Sequence, residues 1–575
     1  MLIRSDDATY LGSPASESFD VYIPLCAEAR HALETLGLQS VLPGSLVGQE
    51  RHEEACRRLE DEIDQVVAVV NEYFEHRPAS VPNVGEYFRF VAYKHLSRYS
   101  AIAQILECAA QAYDVSYLER PLRAGTYLSE AFDVLAATRD GIRRIRTDVA
   151  KTGLPETEEP VAESPGEPWR RRLGLAGVNG LLWARAACRL GWSAPLHKAI
   201  VLNGFSQWVA IGLNWQFRPS VRLELKRVGA EEDTPAVGAE TELAPRELVQ
   251  RLSCVMGGRI PVGAIEDLCV RVAKFVSYVE TNDTALEHEI ADARIVVGSV
   301  FITPLGRYYC SKAIRRNKEV VIFQHGAMNL NPESKHLASV ETDATQYLSW
   351  GSAVDRKREQ LEGAGHLKNI WVVGAVRNKV KYRGGDTVVY ATGKYFSNTV
   401  MIHYVDPDGR LYDAQKALLK FFDRQQQLRT GHVRFVVKAN NTPGANEIPF
   451  ETSVPVDARS RFVDLMAHAK AVVLDCPATT CVEAAATRVP LFVLMGRVRW
   501  YDEAIEKLAK RAVVCDSVDQ LTSAVEDFLE SGTYHADVGN TEFADAYFGV
   551  ESVSTSVRKI AAVLSNVAAG TSHAR

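Results

Sequence analysis

The chain has 575 residues, of which 46% are hydrophobic and 24% charged. At roughly 150 residues per domain that is about four domain-equivalents, or two or three large domains, and the balance excludes a disordered chain, a collagen-like repeat and a small disulfide-stapled scaffold. Lys and Arg number 66 against 72 Asp and Glu, a net charge of −6, so no global basic charge argues for nucleic acid and an anionic ligand has to be gripped locally.

From the N-terminus, Met1 to Gly12 carries Arg4, Asp6 and Asp7 and lacks the apolar core of a signal peptide. The ten cysteines are scattered with no C-x-x-C pair, which argues against a zinc or redox motif and for reduced thiols in the cytoplasm. Phe19 to Leu25 reads as a short strand, and Glu50 to Phe74 and Tyr87 to Tyr113 show helical spacing, so residues 1–151 are expected to be mostly helical. Thr152 to Pro168, rich in Pro and Glu, and the acidic stretch Val228 to Pro245 read as linkers or surface insertions. Between them, Ala199 to Phe217 contains no charged residue and lies among Trp183, Trp192, Trp208 and Trp215. A spanning helix needs about 20 predominantly apolar residues, and Asn203, Ser206, Gln207, Asn214 and Gln216 spoil this one. A buried helix pair is the first reading. A peripheral membrane-facing surface fed by Arg170, Arg171 and Arg172 is the second.

From Ile295 the rhythm changes. Ile295–Val297, Val320–Phe323, Tyr347–Trp350, Trp371–Val373, Val388–Tyr390, Phe435–Val437, Val472–Leu474, Leu491–Val493 and Ala512–Val514 are short aliphatic or aromatic runs. Helical stretches alternate with them, such as Pro304 to Arg316, Ala414 to Leu428, Leu521 to Phe528 and the closing Val553 to Val567. Continuous apolar strands are buried on both faces, and their alternation with helices is the signature of doubly wound parallel sheets. A polar joint near Lys379 to Asp386 divides the strands into two groups, predicting two Rossmann-like domains facing a cleft at their strand C-terminal ends.

Two strand ends carry the strongest chemistry. After Val472–Leu474 the chain reads Asp475-Cys476-Pro477-Ala478-Thr479-Thr480-Cys481-Val482-Glu483. Pro477 suits the first turn of a helix. The unpaired amides there, with the Thr479 and Thr480 hydroxyls, form an anion site, and Glu483 one turn on suits a ribose diol. A capped helix with a solvated Glu483 is the plain alternative. After Val320–Phe323 comes Gln324-His325-Gly326, which places an imidazole for general acid–base work. Glu333 and His336 are close enough in sequence to orient it or share the work. Thr392-Gly393-Lys394 after Val388–Tyr390 offers amides and a cation to a phosphate, though not as a Walker loop, and Lys438 ends another strand. Asp406-Pro407-Asp408-Gly409 holds a D-x-D pattern, but its Pro and Gly point to a turn before a metal site.

Three passages, taken together, resemble the GT-B glycosyltransferases, and among them bacterial enzymes of capsule, lipopolysaccharide and teichoic-acid-type polymer synthesis. They are Ala293–Ser299 with Val320–Gly326, Tyr347–Gly351 with Val372–Gly374, and Asp475–Pro490, whose D-x-x-x-T-T-x-x-E-A is similar to the family's D-x-x-(S/T)-T-x-x-E-A segment with one more residue after the Asp. The resemblance covers about Ala293 to Phe528. It departs from the family at Arg488, where a glycine is frequent, and at Lys438-Ala439-Asn440, where cytidine-donor enzymes show a His-Pro pair. It implies an α/β fold of two Rossmann-like domains: an acceptor domain at 169–380 carrying the acidic insertion 228–245, a nucleotide-donor domain at 384–549, and a closing helix and tail at 550–575. It implies transfer of a sugar from a nucleotide-activated donor to a glycan or lipid-linked acceptor. The nucleotide sugar is then a substrate, and no cofactor or metal is expected. His325, with Glu333, is the implied catalytic group. Pro477, Thr479, Thr480, Glu483, Thr392, Gly393, Lys394 and Lys438 are the implied nucleotide contacts. A polyol-phosphate transferase or sugar epimerase of the same fold, and a non-catalytic binding subunit, remain open readings.

Overall fold

The structure is a computed structural model. It describes residues 2–3, 19–25, 27–75, 81–119, 135, 142–146, 178–182, 197–203, 208, 211, 221–225, 244–326, 330, 335–363, 365–377, 380–395, 407–429, 431–439, 450–496, 498–549 and 551–570. The stretches 152–168 and 228–243, Arg170 to Arg172, and Trp183, Trp192 and Trp215 lie outside them.

Two six-stranded sheets, each entirely parallel, form the frame. The first contains β1 (His197–Val201), β2 (Val221–Leu225), β3 (Ile295–Gly298), β4 (Glu319–Phe323), β5 (Gln346–Ser349) and β6 (Asn369–Val372), in the order β6-β5-β4-β3-β1-β2. The second contains β7 (Thr387–Ala391), β8 (Arg434–Lys438), β9 (Val456–Asp457), β10 (Ala469–Leu474), β11 (Leu491–Leu494) and β12 (Val513–Cys515), in the order β9-β8-β7-β10-β11-β12. The second order is that of a dinucleotide-binding Rossmann sheet. Its direction of winding reverses between β7 and β10, the kind of point beyond which open α/β sheets bind ligands. Val320–Phe323 and Val472–Leu474 are fully buried, as strands covered by helices on both faces require. An apolar cluster containing Phe323, Trp350, Leu474 and Cys481 runs through both halves, so they share a core. Each half is thus a Rossmann-like α/β unit.

Of the uncharged run at 199–217, read first as a buried helix pair, the structure describes 199–203, 208 and 211. Ala199–Val201 belongs to β1, an interior strand, and is uncharged because both of its faces are packed. Trp208 is fully buried, with its ring centroid 6.2 Å from that of Phe323. Among the described residues no helix is long and apolar enough to cross a membrane.

The N-terminal region contributes α1 (Ala27–Thr35), α2 (Gln49–Glu75) and α3 (Val84–Ala112). Helix α2 packs on α3 and on α4 (Arg246–Met256), and α3 also packs on α5 (Val262–Asp292) and α6 (Pro304–Arg315). Their apolar faces merge with Ile200, Val296, Val320 and Ile322 beneath the first sheet. By contrast α1 docks on α7 (Pro407–Leu428) of the second unit. Arg30 pairs with Asp413 at 2.5 Å, Tyr412 donates to Glu34 at 2.7 Å, and Lys416 also pairs with Glu34. Pro407, read as part of a turn, is the first residue of this helix, which suits its fixed φ. The β10 strand leads to α8 (Thr479–Ala485), and the closing helix α9 (Val553–Ala569) crosses back to the first unit, where Arg294 donates to the Ala568 carbonyl at 2.9 Å.

Candidate functional site

On the first wall, β4 runs into Gln324-His325-Gly326. Gln324 is 1% exposed. Its Nε2 donates to the Gly326 carbonyl at 3.0 Å, and its Oε1 accepts from the Trp350 amide at 2.9 Å and from Ser349 Oγ at 3.3 Å. The turn is thereby clamped to the end of β5. Gly326 has φ +61°, and a Cβ there would stand 3.1 Å from Thr479 Oγ1 of the other unit. Glycine is needed twice over, for the left-handed backbone and for the close approach. His325 is exposed, yet the surrounding protein lowers its pKa from 6.5; the nearby Arg377 lowers it further and Glu341 opposes. A neutral imidazole able to accept a proton at neutral pH is the result. Glu341, 1% exposed, is itself paired at 2.8 Å with Lys357, 3% exposed.

On the second wall, β10 leads through Asp475 to α8. Pro477 is buried and precedes the N-cap, Ala478, so it sits outside the first helical turn, where the sequence had placed it. Neither threonine hydroxyl caps the helix, and the first intrahelical bonds run from the Cys481 and Val482 amides to the Ala478 carbonyl. The Thr479 and Thr480 amides therefore precede the helical ladder.

Asp475, 1% exposed, accepts from Tyr390 Oη at 2.7 Å, from Gln415 Nε2 at 2.9 Å and from the Gly393 amide. It ties the β7 turn to the end of β10, so the two flanks of the switch point form one unit. This occupies groups expected to meet a phosphate: the Thr392 amide donates to the Lys438 carbonyl at 3.1 Å, and the Gly393 amide goes to Asp475. Lys438 is 6% exposed, with its ammonium donating to the carbonyls of Ala439 (2.8 Å) and Asp457 (3.2 Å). The Lys394 side chain in this turn is half-buried.

Glu483 lies one helical turn beyond Thr479. Its Oε1 meets Arg377 Nη1 at 2.5 Å, and the guanidinium rests 5.6 Å above the fully buried Trp350 ring. Sequence reading missed Arg377, whose one local signal is a cation shortly after Val372-Val373-Gly374. Glu333 lies outside the described residues. His336 belongs elsewhere: it is fully buried, its Nε2 bonded to the Glu60 carbonyl at 2.8 Å and its ring stacked on Tyr93, with burial pushing its pKa down to about 4. Arg488 departs from the family's glycine without strain, since among the described non-glycine residues only Asn83 and Asn317 have positive φ.

No family model and no curated protein matches the sequence. Among solved structures the chain is similar to sucrose-phosphate synthase from Thermosynechococcus elongatus (10% identity, 64% of this chain and 99% of that one, TM-score 0.35). It is similar also to UDP-N-acetylglucosamine 2-epimerase from Rickettsia bellii (11%, 65% and 97%, 0.36) and to MurG of Acinetobacter baumannii (10%, 64% and 99%, 0.35).

Proposed function

We propose that the chain is a glycosyltransferase that moves a sugar from a nucleotide-activated donor to a glycan or lipid-linked acceptor in bacterial surface polysaccharide synthesis. The observation that carries this reading is the meeting of two strand ends across the halves, the His325-Gly326 turn against Thr479 at the start of α8. The donor's phosphates lie on the Thr479 and Thr480 amides and hydroxyls, and Lys394 adds a cation. Glu483 takes the ribose diol. The acceptor hydroxyl gives its proton to His325 as its oxygen bonds to the anomeric carbon. The bond from that carbon to the phosphate oxygen breaks, and the charge left on the nucleotide falls where the amides already point. The approach of Gly326 to Thr479 Oγ1 supports this division of labour between the two strand ends.

The test has two parts. A thermal-shift screen with UDP, GDP, CDP and CMP finds the donor class, since a ligand at 100 times its Kd stabilises by about 2.7 kcal/mol. His325→Ala then abolishes transfer from the matching labelled sugar nucleotide while nucleotide affinity stays within about twofold. A fully active variant removes the base assignment. A labelled polyol phosphate in the product shows the related transfer instead.

A further inference from the structure

We propose that His336, gripped between α2 and α3, is a positioning residue: it fixes the chain from Lys335 to Glu341 beside the strand end that carries His325, and so makes the N-terminal helices part of how the base is set. This rests on the reading of His325 as the base and adds what holds its surroundings in place. His336 Nε2 lies 2.8 Å from the Glu60 carbonyl of α2, and its Nδ1 lies 3.1 Å from Arg89 Nη1 of α3. A guanidinium only donates, so Nδ1 accepts, Nε2 carries the proton, and the partners fix one neutral tautomer. The ring also stacks on Tyr93 of α3, with centroids 5.4 Å apart. The charges around it close on one another: Arg89 pairs with Glu86 at 2.9 Å and with Asp64, and Asp64 pairs with Lys335.

What His336 holds runs directly to the end of β4. The short helix Lys335–Ala338 packs on α3 and continues into the single turn Ser339–Glu341, where Ser339 Oγ donates back to the His336 carbonyl at 2.6 Å. That turn links the two strands that flank β4. The Val340 carbonyl accepts from the Phe301 amide, just beyond β3, at 2.8 Å, and the Glu341 carboxylate accepts from Tyr347 Oη of β5 at 3.4 Å. Between them β4 leads into His325, whose protonated form Glu341 supports and Arg377 opposes. Just past the turn, Arg307 of α6 pairs with Asp343 at 3.1 Å and donates to the Glu86 carbonyl of α3. The segment thus hangs on α3 at both ends. Phenylalanine at 336 fills the same space but makes neither bond, which leaves the Glu60 carbonyl and Arg89 unmatched and lets the turn carrying Glu341 shift.

The experiment uses the full chain and the labelled sugar nucleotide that the unmodified protein turns over, with kcat and KM measured across pH. His336→Phe lowers kcat roughly tenfold, leaves the donor KM within about twofold, and moves the acid limb of kcat/KM to lower pH, because the imidazole loses a carboxylate that no longer stands in place. His336→Gln, whose amide offers a donor to Glu60 and an acceptor to Arg89, restores most of both. Arg89→Gln loosens the grip without touching the histidine; it moves the limb the same way and decides the matter if the phenylalanine variant does not fold. Glu341→Gln moves the limb in the unmodified protein but adds little in the His336→Phe background, since both act through one carboxylate. An acid limb that stays in place in His336→Phe and Arg89→Gln, or shifts from His336 and Glu341 that add in full, overturns the positioning role while leaving the base standing. Full activity in His325→Ala overturns the base, and the positioning role with it.

Discussion

Glu341→Gln tests how far a buried pair supports both the fold and the base. Glu341 and Lys357 are 1% and 3% exposed and 2.8 Å apart, and Tyr347 Oη donates to the same carboxylate at 3.4 Å. Neutralising one partner leaves the Lys357 ammonium enclosed without a counter-charge, which costs about 3–5 kcal/mol. The carboxylate also acts on His325, whose pKa it raises against burial and Arg377. With Glu341 neutral that support is lost, so the His325 pKa falls further. A base working in its neutral form stays competent to lower pH, and the acid limb of the pH–rate profile moves down. Urea unfolding followed by tryptophan fluorescence reads the first effect, and the pH dependence of kcat/KM reads the second. Glu341→Gln combined with Lys357→Met removes both charges and recovers most of the stability. A single variant that loses less than about 1 kcal/mol, or an acid limb that moves upward, refutes this electrostatic account.

Two further outcomes follow from the same geometry. Gly326→Ala forces a side chain into a left-handed backbone, at about 1 kcal/mol, and sets a methyl against Thr479 Oγ1; turnover falls more than nucleotide affinity, and unchanged kcat counts against the contact. His336, with a folded pKa of about 4 against an ordinary 6.5, is held neutral. The unfolded chain binds the extra proton first, so this contribution is complete above pH 6.5 and is lost as pH falls toward 4. It amounts to about 3 kcal/mol, and His336→Phe should flatten the acid side of the stability curve in urea titrations at stepped pH.

The strands that organise the site were legible because burial on both faces leaves an unbroken aliphatic run, as in Val320–Phe323 and Val472–Leu474. The same physics hid β1: its uncharged residues open the longer uncharged run 199–217, which reads in sequence as a buried or lipid-facing helix. Strand β2, with Arg222 and Glu224 alternating against apolar residues, lies at the sheet edge and gives no continuous run. The 31-residue α5 lay unread between the acidic insertion and β3. In the site, His325 and Thr479 were visible because each directly follows a strand. Arg377 was not, since its partner is set by folding rather than by neighbouring sequence. For a related reason the sequence shows the Thr392 and Gly393 amides as strand-end donors, but not the buried Asp475 and the Lys438 carbonyl to which they bond.

The second unit is fastened to the first at more than the joint between β6 and β7. Helix α9 returns to the first unit through Arg294, α1 grips α7 through Arg30 and Glu34, and Arg499 reaches back to Glu53 on α2 at 3.2 Å. A panel hung on one hinge swings wide; one caught along its margins must first part those catches.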